Sequence, residues 1–279
     1  MSRSLLVVAG EISGDLHAAA VVRKVRLALP GLRIWGVGGD ALAAEGVELR
    51  RHTRDMAVMG LAEVLKRYGF FRKALRDLSE EARRNPPDVA LLVDYPGFNF
   101  RLAAKLHPLR TRIVYYVCPQ VWAWRRSRIR QMAGWVDRLQ VIFPFEEPIF
   151  REAGIQTEFV GHPLVEEARA ALLEPDADLP WSGSSRIALL PGSREQEVAR
   201  LLPVLAAAAW WLRKRRPETS FLVASPTEEM AVLQRRKLRQ LGSPEGLLPV
   251  VAGQTRQILK QASAAWVASG TATLEACLM

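Results

Sequence analysis

The feature that most constrains this chain is a rhythm. Short apolar runs, each closed by glycine, proline or aspartate, alternate with stretches of helical composition. DVALLVD (residues 88–94) is apolar at consecutive positions rather than at every second one. That is the pattern of a parallel strand covered on both faces. SLLVVAG (4–10), LRIWGVGG (32–39), TRIVYYV (111–117), RLQVIF (138–143) and TEFVG (157–161) repeat it, with helical stretches such as DLHAAAVVRKVRLAL (15–29) between them. Strands that alternate with helices specify an α/β fold with a mostly parallel sheet.

The rhythm breaks once, at LEPDADLPWSGSS (173–185), which is rich in turn formers. It restarts with RIALLPGS (186–193), a helix over 195–215, SFLVAS (220–225), a helix over 227–241, LLPVVAG (247–253) and AAWVASG (264–270). The expected organisation is a first Rossmann-like domain over 1–172, a linker over 173–185 and a second Rossmann-like domain over 186–279. SGTATLEACLM opens a helix and reaches Met279 within about three turns. The second domain is therefore expected to be incomplete, with an unpaired sheet edge.

Composition narrows the function. The net charge is +10 over 279 residues, which points to an anionic partner: nucleic acid, an acidic membrane surface or a phosphorylated substrate. No run of about 18 apolar residues exists, so membrane contact is expected to be peripheral. Cys118 and Cys277 lie far apart, without metal or secretory spacing, as in a reducing compartment. His17, His52, His107 and His162 are scattered and no HExxH occurs, so no metal is expected. The absence of GxxxxGK[ST] argues against a P-loop NTPase.

Ligands of open α/β sheets sit at the carboxyl ends of the strands, so the strand-end turns are the candidate sites. In AGEISGD (9–15), Gly10 and Gly14 permit close backbone approach, Asp15 is a possible helix cap, and Glu11 is left over for chemistry. In VDYPGFNF (93–100), Asp94 ends an apolar strand. Asn99 is the better helix cap, which frees Asp94 to act as a general base of raised pKa. LLPGSREQEV (189–198) sets Ser193 and Arg194 at a helix N-terminus, where unpaired N–H groups and a fixed cation can hold phosphate. ASGTATLEA (268–276) makes a second donor-rich turn from Ser269, Gly270 and Thr271, with Glu275 one helical turn on, within reach of a ribose. Two further stretches admit two readings each. VCPQVWAWRRSRIRQM (117–132) suits nucleic-acid bases, a sugar subsite or lipid head groups, or else is a solvated basic helix with core tryptophans. MAVMGLAEVLKRYGFFRKALRDL (56–78) is either a membrane-surface helix with a cationic rim or a core helix.

Together AGEISGD, GVGGDALAAEG, AVMGLAEVL, DYPGFN, CPQVWAWR, FPFE, VGHPL, LLPGSR and ASGTATLEA resemble, in order and combination, the lipid-A-disaccharide synthase family. The resemblance runs from residue 5 to residue 279. It implies a GT-B fold, in which two Rossmann-like domains with parallel sheets face a cleft. It implies an inverting glycosyltransferase that joins UDP-2,3-diacylglucosamine to 2,3-diacylglucosamine 1-phosphate and releases UDP, peripheral on the inner face of the inner membrane, on the cytoplasmic side. Carried onto this sequence, Asp94 is the base or orients the acceptor, with Glu11 the alternative base. Arg194 binds the diphosphate or the acceptor phosphate. Ser193, Ser269, Gly270, Thr271 and Glu275 hold UDP, and residues 56–73 meet membrane or acyl chains. No cofactor, metal or nucleic-acid partner is expected. Family members continue past the position of Met279 with further cleft residues and helices that return to the first domain, and a homodimer is expected only with that segment. The competing expectations are another GT-B enzyme of UDP-sugars and a non-catalytic UDP- or lipid-binding remnant.

Overall fold

A computed structural model describes residues 3–56, 68–124 and 126–279. The chain divides into two compact units, Met1–His162 and Pro163–Met279.

The first unit is built on β1 (Ser4–Ala9), β2 (Arg33–Gly38), β3 (Glu48–His52), β4 (Val89–Val93), β5 (Arg112–Tyr116), β6 (Arg138–Val141) and β7 (Thr157–Phe159). They form one sheet in the order β3-β2-β1-β4-β5-β6-β7, parallel throughout. The consecutive apolar residues are explained by what covers the sheet. Leu6, Val8, Leu92 and Tyr115 enter a core on one face, while Val7, Ala9, Leu91 and Val93 enter a core on the other. With both faces dry, alternation disappears.

β3 lies outside the apolar rhythm of the sequence. Its residues are ELRRH, and its stability comes from its position at the sheet rim. Arg50 pairs with Glu81 at 2.6 Å and Arg51 with Asp77 at 2.7 Å. A charged edge strand also resists pairing with another chain.

Asp15 does not cap its own helix, Ile12–Ala28. Its buried carboxylate accepts from the backbone N–H groups of Gly39 (2.6 Å), Ala41 (3.0 Å) and Leu42 (3.2 Å), so it caps the next helix, Asp40–Ala44. Gly39 must lack a side chain, because a Cβ there would lie 2.7 Å from Asp15 Oδ2.

The second unit holds β8 (Ser185–Leu190), β9 (Thr219–Ser225), β10 (Val250–Ala252) and β11 (Ala264–Val267), ordered β10-β9-β8-β11 and parallel. Helices Glu195–Arg215 and Glu228–Gln240 share a core on one face. Helices Thr255–Gln261 and Thr271–Leu278 share the core on the other. Each unit is Rossmann-like.

The domain division falls at His162, ten residues before the expected boundary. Helix Pro163–Leu173 packs on helices 255–261 and 271–278, and Arg256 joins Glu167 to Glu275. The turn-rich stretch after it is strapped to the same unit. Ala177 N–H donates to Gln257 Oε1 at 3.1 Å, Trp181 Nε1 donates to Gln261 Oε1 at 3.1 Å, and Leu179 is buried. Turn-forming composition marked an irregular segment there, and its long-range hydrogen bonds make it part of the second unit.

Candidate active site at two switch points

Where a parallel sheet reverses its strand order, the segments that follow two neighbouring strands leave on opposite faces and open a crevice at the carboxyl ends. In the first sheet this happens between β1 and β4, whose last residues Ala9 and Val93 are paired. The next residues are Gly10 and Glu11 on one strand and Asp94 and Tyr95 on the other. The fold thus brings Glu11 and Asp94 together.

The turn at Asp94 is held tightly. Asp94 and Tyr95 both adopt left-handed backbone, with φ of 44° and 50°. Asp94 N–H donates to Tyr116 O at 3.0 Å. Its carbonyl accepts from the Tyr115 hydroxyl at 2.6 Å and from Asn99 Nδ2 at 2.8 Å. Asn99 Nδ2 also reaches Val93 O at 3.2 Å. Asn99 is therefore not the cap of helix Pro96–Leu106, as expected from sequence. It lies inside that helix, fully buried, and clamps the end of β4. The Tyr95 ring lies over Gly10, where a Cβ would come within 2.4 Å of it, and its hydroxyl donates to Met56 O at 3.0 Å.

These contacts use the backbone of Asp94 and leave its carboxylate to face the switch point, half-buried. Burial raises its pKa to about 6, helped by the charge of Glu11 and opposed by a hydrogen bond from the Tyr95 backbone. Glu11 stands exposed at the N-cap of helix Ile12–Ala28 and makes no capping hydrogen bond. Of the two acids, Asp94 has the environment of a general base near neutral pH.

The carboxyl edge continues past β5 and β6 with groups that sequence reasoning left without a role. Cys118 follows β5, and burial holds it as a thiol. Glu146, from FPFE, is buried: its Oε1 accepts from Trp122 Nε1 at 3.0 Å and its Oε2 from Phe143 N–H at 3.2 Å. Burial raises its pKa, against those two hydrogen bonds and one from the Ile142 backbone. The available signal was an acid that follows two phenylalanines, Phe143 and Phe145, in a chain with an indole whose N–H needs an acceptor. Phe145 packs edge-on against Trp122 at 5.1 Å, and His162 lies 5.4 Å from Phe143. Trp122 is thereby committed within the unit, while Arg128 sits over the Phe100 ring at 5.5 Å.

In the second unit the switch point falls between β8 and β11, where Leu190 pairs with Val267. The two glycine turns named from sequence leave these adjacent strand ends, so Ser193 and Arg194 share one sheet edge with Ser269, Gly270 and Thr271. Gly192 and Gly270 take φ of 115° and 146°, which L side chains rarely adopt. The first turn is filled from within. Glu197 Oε2 accepts from the N–H groups of Ser193 (3.2 Å) and Arg194 (3.3 Å), and its Oε1 meets Arg194 Nη1 at 3.2 Å. A carboxylate of the chain thus takes up the N–H groups of this turn. Glu275 lies one turn into helix Thr271–Leu278, and its carboxylate is bound by Arg256 Nε at 2.8 Å.

Of the 56–78 stretch, residues 57–67 lie outside the described residues. Beyond them, helix Tyr68–Arg84 turns Ala74 and Leu78 into the core, with Phe70, Phe71 and Leu75 packed partly buried against it. For these residues the core reading holds. Among the described residues no helix is long and apolar enough to cross a membrane.

Comparison with known proteins names the family. The model of the family "Lipid-A-disaccharide synthetase" matches residues 5–279. The lipid-A-disaccharide synthase of Myxococcus xanthus (strain DK1622) is 44% identical over 99% of this chain and 72% of its own length. That of Syntrophus aciditrophicus (strain SB) is 39% identical over 100% and 73%. Among solved structures, the UDP-GlcNAc 2-epimerase of Neisseria meningitidis superposes with a TM-score of 0.64 at 11% identity, over 96% of this chain and 78% of that one. The UDP-GlcNAc 2-epimerase of Methanocaldococcus jannaschii gives 0.62 at 11% identity, over 100% and 81%. At these identities the likeness is one of fold. The sequence matches decide more: this chain belongs to the lipid-A-disaccharide synthase family, hexosyltransferases of lipid A disaccharide synthesis.

Proposed function

We propose that the chain transfers the sugar of UDP-2,3-diacylglucosamine to 2,3-diacylglucosamine 1-phosphate, with inversion at the anomeric carbon and release of UDP. The observation that carries the mechanism is the half-buried Asp94, its pKa raised to about 6 beside Glu11 at the β1–β4 switch point. Ionised at neutral pH yet poorly solvated, its carboxylate accepts the proton of the acceptor hydroxyl. The oxygen attacks the anomeric carbon on the face opposite the diphosphate. The new C–O bond forms as the anomeric carbon–diphosphate bond breaks, and UDP leaves with the electron pair. Arg194 and the N–H groups at Ser193, Ser269, Gly270 and Thr271 stabilise the departing diphosphate once Glu197 yields its place. Glu275, released from Arg256, meets the ribose.

The reading also places the protein at the inner face of the inner membrane, on the cytoplasmic side, where both acylated substrates reside. Residues 56–73 are its proposed contact there through their cationic members Lys66, Arg67, Arg72 and Lys73, which suit an anionic surface while Met56, Phe70 and Phe71 belong to the core.

Asp94→Asn tests the mechanism. It removes the base while keeping size and left-handed tolerance. Turnover of the acyl donor is expected to fall by about 10²–10⁴-fold, with UDP affinity unchanged in calorimetry. Wild-type turnover in that variant would end the assignment.

A further inference from the structure

The outer face of helix Glu195–Arg215 is not an ordinary solvated face. A surface helix turns polar side chains outward. This one exposes Val204 (64%), Trp210 (45%) and Trp211 (53%), with Ala207 between them. Its other stripe, Val198, Leu202, Ala206 and Ala209, is already buried in the core, so nothing in the packing of the unit requires tryptophan outside. Cations close on the rings. Lys214 Nζ lies 3.5 Å from the centre of the Trp210 ring and Arg215 Cζ lies 3.6 Å from that of Trp211. Exposed Arg200 stands at the other end of the stripe, and Arg216 ends the helix. Helix Glu228–Gln240, packed beside it on the same face of the sheet, adds exposed Val232, Arg236 and Arg239. From Ala207 to Glu218 the chain carries four cations and one acid.

We infer that this face is a second membrane-contact surface, which docks the Pro163–Met279 unit on an anionic bilayer. The chemistry selects that occupant. Indoles with a cationic collar match the boundary between acyl chains and anionic head groups, where the ring enters the apolar layer and the charge stays at the phosphates. Single-stranded nucleic acid stacks its bases on ring faces, and here a cation already covers a face of each ring. The inference is independent of the proposed base chemistry and of the contact at residues 56–73, since it uses only side chains of the second unit.

Co-sedimentation of the full chain with vesicles tests it. Wild-type protein is expected to bind mixed phosphatidylglycerol–phosphatidylcholine vesicles and to release them at high salt, with little affinity for pure phosphatidylcholine. Lys214→Ala/Arg215→Ala should weaken binding about 30-fold, and Trp210→Ala/Trp211→Ala about tenfold. All four side chains are exposed, so unfolding midpoints should stay at the wild-type value. Vesicle binding equal to wild type in both double variants would overturn the inference. If Arg72→Ala/Lys73→Ala alone abolished binding at the same time, the contact near residues 56–73 would survive and this one would not. A change of oligomeric state in the tryptophan variant without vesicles would make the face a protein interface. Oligonucleotide binding lost in that variant, with no vesicle binding in the wild type, would make it a nucleic-acid surface. Either result contradicts the inference.

Discussion

Two neighbouring residues, Asp94 and Tyr95, hold a left-handed backbone that costs non-glycine residues about 1–3 kcal/mol each. The buried amide of Asn99 and the hydroxyl of Tyr115 sustain it by bonding the carbonyls around the turn. The same turn keeps the Asp94 carboxylate half-buried near Glu11, where ionisation is unfavourable. Its folded pKa, about 6, exceeds the 3.8 of an ordinary aspartate. A raised pKa means that the neutral acid is the form the fold favours, so its contribution is fully present below pH 4 and is lost as pH rises through 6. Asp94→Asn is therefore expected to stabilise the protein by on the order of 2–3 kcal/mol at pH 7.5 and by little at pH 4. Urea unfolding of both proteins at the two pH values measures this. An equal or lower stability of the variant at pH 7.5 would contradict the burial of the carboxylate. Asp94 was legible in sequence as a strand-end acid, but its clamp was not. Asn99 reads locally as a cap, and only the neighbouring β5, bringing Tyr115, shows which carbonyls it serves.

At the level of elements, the glycine turns are less open than their sequences suggest. LLPGSREQEV reads as an anion site from its unpaired N–H groups and Arg194. The structure supplies an anion of its own, Glu197, three residues on. On the proposed function, a diphosphate has to displace that carboxylate. Glu197→Gln keeps an acceptor for the turn but removes the competing charge, so it is expected to tighten UDP binding about three- to tenfold. Calorimetric titration with UDP decides this, and weaker binding would mean that the turn needs the charge to form. Runs such as DVALLVD were legible because a strand buried on both faces is apolar throughout. β3 was not, because an edge strand held by Arg50–Glu81 and Arg51–Asp77 pairs carries its logic in distant partners. The same holds for the cap that Asp15 provides to another helix, for the Trp122–Glu146 bond, and for the strap from Ala177 and Trp181 to Gln257 and Gln261 that moved the domain boundary to His162.

Over the whole molecule, both units place their candidate groups by one rule. Each sheet reverses its strand order once, between β1 and β4 in the first and between β8 and β11 in the second. The acids gather at one reversal and the phosphate-type turns at the other. The strand order could not be read from the chain, which is why Glu11 and Asp94, 83 residues apart, were separate candidates in sequence and are one site in the fold. The net charge of +10 suits substrates that carry phosphates. The central claim is that Asp94 is the base and that Glu11 tunes it. The pH dependence of kcat/KM for the acyl donor tests it most directly, in wild type and in Glu11→Gln. The wild-type profile should rise through a pKa near 6, and Glu11→Gln should move that limb to lower pH, because it removes a charge that opposes ionisation of Asp94. The acceptor phosphate also titrates near pH 6, but its limb would not move with Glu11. A limb unmoved by Glu11→Gln would contradict the account.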